Sequence, residues 1–302
     1  MFDIIVVGAG TAGLSAAIYA VRAGKSVLLL EEKNYGGQIV NTPQVENYPG
    51  IKQISGYDFA TNLYEQAIAL GAKIEYEKVI KIEQNHMEKQ VVTKDNCYTC
   101  KSVILATGSK NRPLGLENEE EFIGAGISYC ATCDGMFFRG REVAVVGGGN
   151  TALEDAMFLS NYCSKVYVIH RREEFRGEEK QLLALQEKEN VEFVLNAVVT
   201  DITGTDVLES IHVKNTKTNE KKELAVAGLF VAIGQEPKNS DFADIIELDK
   251  QGYIVADESC QTNTDGIFTA GDCRTKKVRQ LATAASDGAV AALAACEYIS
   301  IH

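Results

Sequence analysis

Near its start the chain places apolar residues side by side, Phe2 to Val7 in "FDIIVV", without the polar alternation of a half-exposed strand. Such a run predicts a strand buried on both faces. It leads into Gly8, Gly10 and Gly13, after which "LSAAIYAVRAG" has helical spacing and stops at Gly24. The apolar run "SVLLLEE" follows, so the segment predicts a βαβ unit with G-x-G-x-x-G at its first turn. The pattern returns in "REVAVVGGGNTALEDAMFLSNYCSKVYVIHRREEFR", where Gly147, Gly149 and Ala152 take the three critical places. Three shorter runs, "SVILATGS", "AGLFVAIGQEP" and "GIFTAGDC", predict buried strands ending in small-residue turns, the last just before Asp272. The closing "VRQLATAASDGAVAALAACEYI" predicts a helix whose N-terminus is Arg279 to Thr283.

Two such units in one chain predict an α/β protein with two Rossmann-like, three-layer ββα nucleotide-binding domains. The first unit opens the chain, the second takes the middle and the Asp272 segment returns at the end, so the second domain is read as inserted into the first. The expected boundaries are 1–112 with 245–302 for the outer domain and 113–244 for the inserted one, with crossings at "NRPLGLENEEEFIG" and "GQEPKNSDF". The glycines let backbone approach a pyrophosphate held at the helix N-terminus. Glu31 and His170 each stand 23 residues after the first glycine of their own loop. A carboxylate there accepts hydrogen bonds from a ribose diol and repels a 2′-phosphate, so Glu31 suits the adenosine of FAD or NAD. His170 instead opens "HRREEFR", and the guanidinium forks of Arg171, Arg172 and Arg176 suit a phosphate dianion, predicting NADPH over NADH.

Composition narrows the partners. With 302 residues and 45% apolar content the chain can fill two cores. A formal charge of −12 opposes non-specific attraction to nucleic acid or to an anionic membrane surface. Ile4 to Val21 is uncharged and long enough for a membrane span, yet it contains the glycine loop, and no basic residue precedes it as in a signal peptide. The expectation is a cytoplasmic protein.

In that reducing compartment, eight cysteines point to catalysis or metal binding more than to structural bridges. "GISYCATCDG" sets Cys130 and Cys133 two residues apart, with Asp134 directly after. A second C-x-x-C, Cys97 and Cys100 in "KDNCYTCK", lies upstream, but the intervening 29 residues exceed the ~15 to 20 of a zinc ribbon. A redox dithiol fits better, because C-x-x-C lowers one thiol pKa and yields a thiolate able to attack another disulfide. Asp134 then supplies a proton to the leaving sulfur. Cys97 and Cys100 are expected on a hairpin edge, outside the electron path.

Together these features resemble the low-molecular-weight, NADPH-dependent thioredoxin reductases of bacteria. The likeness runs along essentially the whole chain in the family's order: "GAGTAG", "GGQ", "ENYPG", "ATGS", "SYCATCDG", "GGGNTALEDA", "HRREEFR", "VAIGQEP", "TAGDCR" and "RQLATAASDG". The resemblance implies FAD on Gly8, Gly10, Ala12, Gly13, Glu31, Gly37, Gln38, Asn47, Asp272, Arg279, Gln280 and Ala282. It implies NADPH on Gly149, Asn150, Thr151, His170, Arg171, Arg172 and Arg176. It further implies that Cys133 lies against the flavin and attacks thioredoxin, that Cys130 resolves, that Asp134 donates the proton, and that the chain forms a homodimer whose inserted domain rotates between turnovers. Two positions depart from the family: Cys273 replaces an aliphatic residue after "GD", and "LENEEEF" lacks the common "PGE". Competing readings keep the electron path but use ferredoxin as donor or another protein disulfide as acceptor, dispense with the dithiol in a flavin-dependent NADP reductase, or reduce the chain to a nucleotide sensor.

Overall fold

In the computed structural model, which describes residues 1–85 and 88–302, the opening run forms strand β1 (Phe2–Val7) and its side chains alternate between two cores. Ile4 and Val6 join Leu14 and Ala17 of helix α1 (Thr11–Arg22), whereas Ile5 and Val7 join Leu28 and Leu30 of β2 (Val27–Leu30). Both faces are covered, which is why the run is apolar at every position. After α2 (Gly56–Ala69), capped by the Ser55 hydroxyl on the Asp58 amide at 3.0 Å, come β3 (Lys73–Glu75), β4 (Val79–Asn85), β5 (Glu88–Thr93), β6 (Cys97–Leu105) and β7 (Ser109–Asn111). The middle of the chain supplies β8 (Ile127–Ser128), α3 (Ala131–Asp134), β9 (Glu142–Gly147), α4 (Asn150–Ser160), β10 (Lys165–His170), α5 (Glu179–Gln186) and β11 (Val191–Leu195). Strands β12 (Ala197–Gly204), β13 (Leu208–Asn215), β14 (Lys221–Ala225), β15 (Gly228–Ala232), β16 (Gln235–Pro237) and β17 (Ile267–Thr269) then lead to α6 (Leu281–Ile301).

The chain divides into two compact units, residues 1–110 with 236–302 and residues 111–235. In the first, the sheet runs β3-β2-β1-β6-β5-β4, with β17 added on β6. Strands β3, β2, β1, β6 and β17 are parallel, and β4 and β5 extend the sheet as an antiparallel hairpin. In the second, a parallel sheet β11-β10-β9-β15-β8 lies between α4 and an antiparallel sheet β12-β13-β14. Val143 and Val145 face Ala152, Ala156 and Leu159 of the helix, while Ala144 and Val146 face Val199, Ile211 and Leu224 of the second sheet. This is the three-layer ββα order expected of a Rossmann-like domain.

The crossings β7 and β16 pair with each other as a two-stranded sheet. The return lies at Gln235 and Glu236 rather than near 245. Its cause is local: Asn239 is fully buried, and its amide donates to the carbonyls of Gly252 and Cys273 at 2.9 Å, while Phe242 and Ile246 enter the first unit's core. Of the second C-x-x-C pair, Cys97 pairs with Val92 of β5 alone and is exposed at the hairpin's end, as expected, whereas Cys100 departs from expectation: it lies between Phe2 of β1 and Lys89 of β5 and is buried. Both thiols are free.

Ile4 to Val21, long enough for a span, is divided between β1 and α1. Helix α6 alone among the described residues has the length and hydropathy for one, and it packs against α1 and buries Asp287. At that packing a Cβ on Gly288 would overlap the Ala12 carbonyl oxygen and stand 2.9 Å from the Ala16 amide nitrogen. Gly→Ala inside a helix ordinarily stabilises by ~1 kcal/mol. Here Gly288→Ala is expected to destabilise by about 2 kcal/mol through overpacking, read by denaturant unfolding; a neutral or stabilising result contradicts this packing.

Candidate functional site

The first unit builds a strand-to-helix turn with no room for side chains inside it. Gly8 has φ +102°, and a Cβ there would overlap the Ala106 carbonyl oxygen; one on Gly13 would overlap the carbonyl oxygen of Gly8. Gly10 differs. Its φ of −78° suits any residue, and the nearest atom to a Cβ there is 3.9 Å away, so internal packing does not explain its missing side chain. It caps α1 without a side-chain hydrogen bond, and the first turn holds no acid, leaving bare N–H groups that favour an anion. Glu31 spans the mouth: its Oε2 accepts the Ala9 amide at 2.8 Å and its Oε1 the Lys33 amide at 3.0 Å. The Gly36 amide donates to the Ala9 carbonyl at 2.7 Å, which brings Gly37 and its short turn (Gly37–Asn41) beside Gly10.

Around this turn the same unit gathers the other predicted positions. The Gln38 amide donates to the Ser109 carbonyl, and Asn47 Nδ2 donates to Gln280 Oε1 at 3.2 Å. Gln280 caps α6 in a reciprocal pair with Thr283, and Ala282 lies in the first turn. Arg279 stacks over Tyr253 at 4.2 Å and donates to the carbonyls of Asp272 and Arg274 at 3.4 and 3.3 Å. Ala12 sits under Gly271, where a Cβ would come within 2.7 Å of its own. Asp272 Oδ1 is buried and, among the described residues, has no hydrogen-bond partner. Burial pushes its carboxyl above the ordinary range, against the pull of Lys276 and Arg279.

The second unit repeats the turn with different furniture. A Cβ on Gly147 would overlap the Ala232 carbonyl oxygen, whereas Gly149, the cap of α4, has open space where its side chain would be. The segment after β10 folds back over this loop: the Arg176 and Gly177 amides donate to the Gly148 carbonyl at 2.7 and 3.2 Å, and Asn150 Oδ1 accepts the Glu178 amide at 2.8 Å. Thr151, Arg171, Arg172 and Arg176 are exposed. His170 is buried instead. Its ring fills the space a Gly148 side chain would need, Nε2 pairs with the Glu174 carbonyl at 3.1 Å, and Phe175 lies 4.8 Å away. Burial, helped by the three arginines, lowers its pKa, so the imidazole forms a neutral floor to the loop.

The same unit holds the Cys130–Cys133 disulfide, with Cα atoms 5.3 Å apart. Cys130 caps α3, and Cys133 and Asp134 donate their amides back to its carbonyl at 3.2 and 3.1 Å. Ser128, which sequence reasoning missed, ties the turn together: its hydroxyl donates to Asp134 Oδ2 at 2.6 Å and accepts the Cys130 amide at 3.1 Å. Burial raises the Asp134 pKa, and the Ser128 bond offsets part of that. Glu119 was missed as well. Its buried carboxylate accepts the amides of Leu114, Gly115 and Leu116 at 2.9, 2.8 and 3.2 Å and the Tyr129 hydroxyl at 2.9 Å, tying the incoming segment to the residue before Cys130. In "ENEEEF" nothing marks this acid from its neighbours; only its place after Asn118, left-handed at φ 61°, hints at a turn. Glu119→Ala is expected to cost about 2 kcal/mol by leaving these donors without their acceptor, read by denaturant unfolding; a change below about 0.5 kcal/mol contradicts it.

The family model for pyridine nucleotide-disulphide oxidoreductases matches residues 2–289. A thioredoxin reductase of Treponema pallidum is 43% identical over 299 residues, covering 99% of this chain and 97% of that protein. One of Helicobacter pylori is 42% identical over 311 residues, covering all of both chains. The crystal structure of thioredoxin reductase from Streptococcus pyogenes superposes with a TM-score of 0.96 at 38% identity, covering 100% of this chain and 99% of that one. Two glycine cradles and a C-x-x-C disulfide, in a chain that matches these proteins from end to end, lead to one assignment: it belongs to the pyridine nucleotide-disulphide oxidoreductase family and, within it, to the thioredoxin reductases.

Proposed function

We propose that the protein is an NADPH-dependent thioredoxin reductase, with FAD as resident cofactor and Cys130–Cys133 as its own redox group. The observation that carries this is the disulfide itself, formed in a turn beside a half-buried carboxyl and within a nucleotide-binding unit. Unit 1 fits FAD on three counts: a bare α1 N-terminus, a Gly10 whose missing side chain serves no internal contact, and a buried Asp272 oxygen without a partner among the described residues. There Gly8, Gly10, Ala12, Gly13 and Gly37 would receive the pyrophosphate, Glu31 the ribose diol, and Gln38, Asn47, Asp272, Arg279, Gln280 and Ala282 the remainder. Bound FAD supplies a two-electron relay between nicotinamide and disulfide, which side chains alone do not offer.

In unit 2, Gly149, Asn150 and Thr151 open α4 for the NADPH pyrophosphate, His170 floors the loop, and exposed Arg171, Arg172 and Arg176 receive the 2′-phosphate. Once the pair is reduced, the Cys133 thiolate attacks one sulfur of thioredoxin's disulfide, forming a mixed disulfide and releasing the other sulfur as a thiolate. The Cys130 thiolate then displaces Cys133's partner, so Cys130–Cys133 re-forms and thioredoxin leaves as the dithiol. Asp134, held by Ser128 and raised by burial, hands a proton to a departing thiolate and regains it on the next reduction. The working form is a cytoplasmic homodimer.

Cys130→Ser, which keeps the attacking sulfur, is expected to trap a stable mixed disulfide with a thioredoxin lacking its resolving cysteine. Cys133→Ser should trap none by mass spectrometry, and the opposite pattern overturns the roles. Replacing Arg171, Arg172 and Arg176 together by alanine should raise KM for NADPH by about two orders of magnitude while leaving KM for NADH within about twofold, since charge-assisted bonds contribute ~1.5–3 kcal/mol each before solvent screening. Equal losses with both nucleotides contradict the assignment.

A further inference from the structure

One buried carboxylate holds the turn that carries Asp272 from behind. Asp287, on the second turn of α6, accepts four hydrogen bonds: Oδ2 takes the Gly271 amide at 3.0 Å, Arg274 Nε at 2.8 Å and Lys276 Nζ at 2.8 Å, and Oδ1 takes Arg274 Nη2 at 2.9 Å. The side chains of Arg274, Lys276 and Asp287 are only 3%, 6% and 9% exposed. Two cations therefore face a single buried anion. Of the other acids nearby, Glu258 is 4.0 Å from Arg274 and 99% exposed, so water screens it, and Asp272, on which Lys276 also acts, has its carboxyl pushed toward the neutral form by burial. Gly271, the residue Asp287 grips, immediately precedes Asp272. Neither the glycine cradle nor the disulfide chemistry uses this cluster.

We propose that Asp287 is a positioning residue which, with Arg274 and Lys276, both orients the Asp272 turn and sets the reduction potential of the cofactor bound there. The proposal rests on the reading that unit 1 holds FAD. Reduction adds negative charge to a flavin, and a surplus of buried cations behind Asp272 favours that charge. Because the groups are buried, bulk salt screens the effect little. Asp287→Asn keeps the shape and leaves both cations uncompensated, which favours the reduced state. Lys276→Met removes one cation and favours the oxidised state. Loosening of the turn would move both variants the same way; charge moves them in opposite directions.

The test is anaerobic spectroscopic titration of the flavin in the full-length protein against a reference dye. At fixed potential, the ratio of reduced to oxidised flavin is expected to rise about tenfold in Asp287→Asn and fall about tenfold in Lys276→Met. For a two-electron couple these are shifts of about +30 and −30 mV. Shifts of the same sign, or none, in variants that hold FAD fully overturn the proposal and leave the assignment of FAD to unit 1 standing. Wild-type protein that takes up no FAD overturns both. Should Asp287→Asn fail to fold, the sign of the Lys276→Met shift decides alone, a fall supporting the proposal and a rise or no change sinking it.

Discussion

Everything in this protein that can handle a nucleotide depends on how closely a strand end and a helix start can approach. At Gly8 and Gly13 the backbones lie so near that a methyl group would collide with a carbonyl oxygen, and Gly147 repeats this in the second unit. That closeness aims α1 and α4 outward from the sheet ends, with glycine caps that leave their first N–H groups uncovered by side chains. Uncapped dipole ends of this kind need an anion or water to meet them, so a phosphate site follows from packing rather than from a special residue. Specificity is then added at the next strand end, where one unit presents Glu31 and the other a buried His170 followed by exposed arginines.

Much of this was legible in the sequence because close approach leaves its mark as glycine and buried parallel strands as unbroken apolar runs. The two βαβ units, the strand before Asp272 and the helix start at Arg279 to Thr283 all stand where the pattern puts them. What could not be read were solitary polar residues whose meaning lies in distant partners. Asn239 looks like loop composition but fills an internal site and so moves the return crossing. Glu119 is one of several neighbouring acids, and Asp287 is one of two acids in an alanine-rich helix; each gathers four donors only once the fold is formed. Cys100 misled in the opposite sense. Polar neighbours suggested an edge, and Cys97 is exposed at one, yet by Cys100 the strand has partners on both sides and the thiol is buried.

Where "LENEEEF" lacks the expected "PGE", Asn118 stands before Glu119 with φ 61°, a left-handed conformation that asparagine tolerates better than most residues. Cys273, the other departure, is buried and shares its sulfur among the carbonyls of Ala270 and Leu105 and the Thr269 hydroxyl. It behaves as a small core residue.

The central claim is that this chain stores reducing equivalents in a sulfur–sulfur bond as well as in a flavin. Stopped-flow anaerobic titration with NADPH, following flavin bleaching and counting electrons taken up per chain, addresses it directly. A relay through Cys130–Cys133 requires about four electrons per chain, two for the ring and two for the disulfide. Uptake that ends at about two, with the disulfide still intact by thiol labelling, would contradict it.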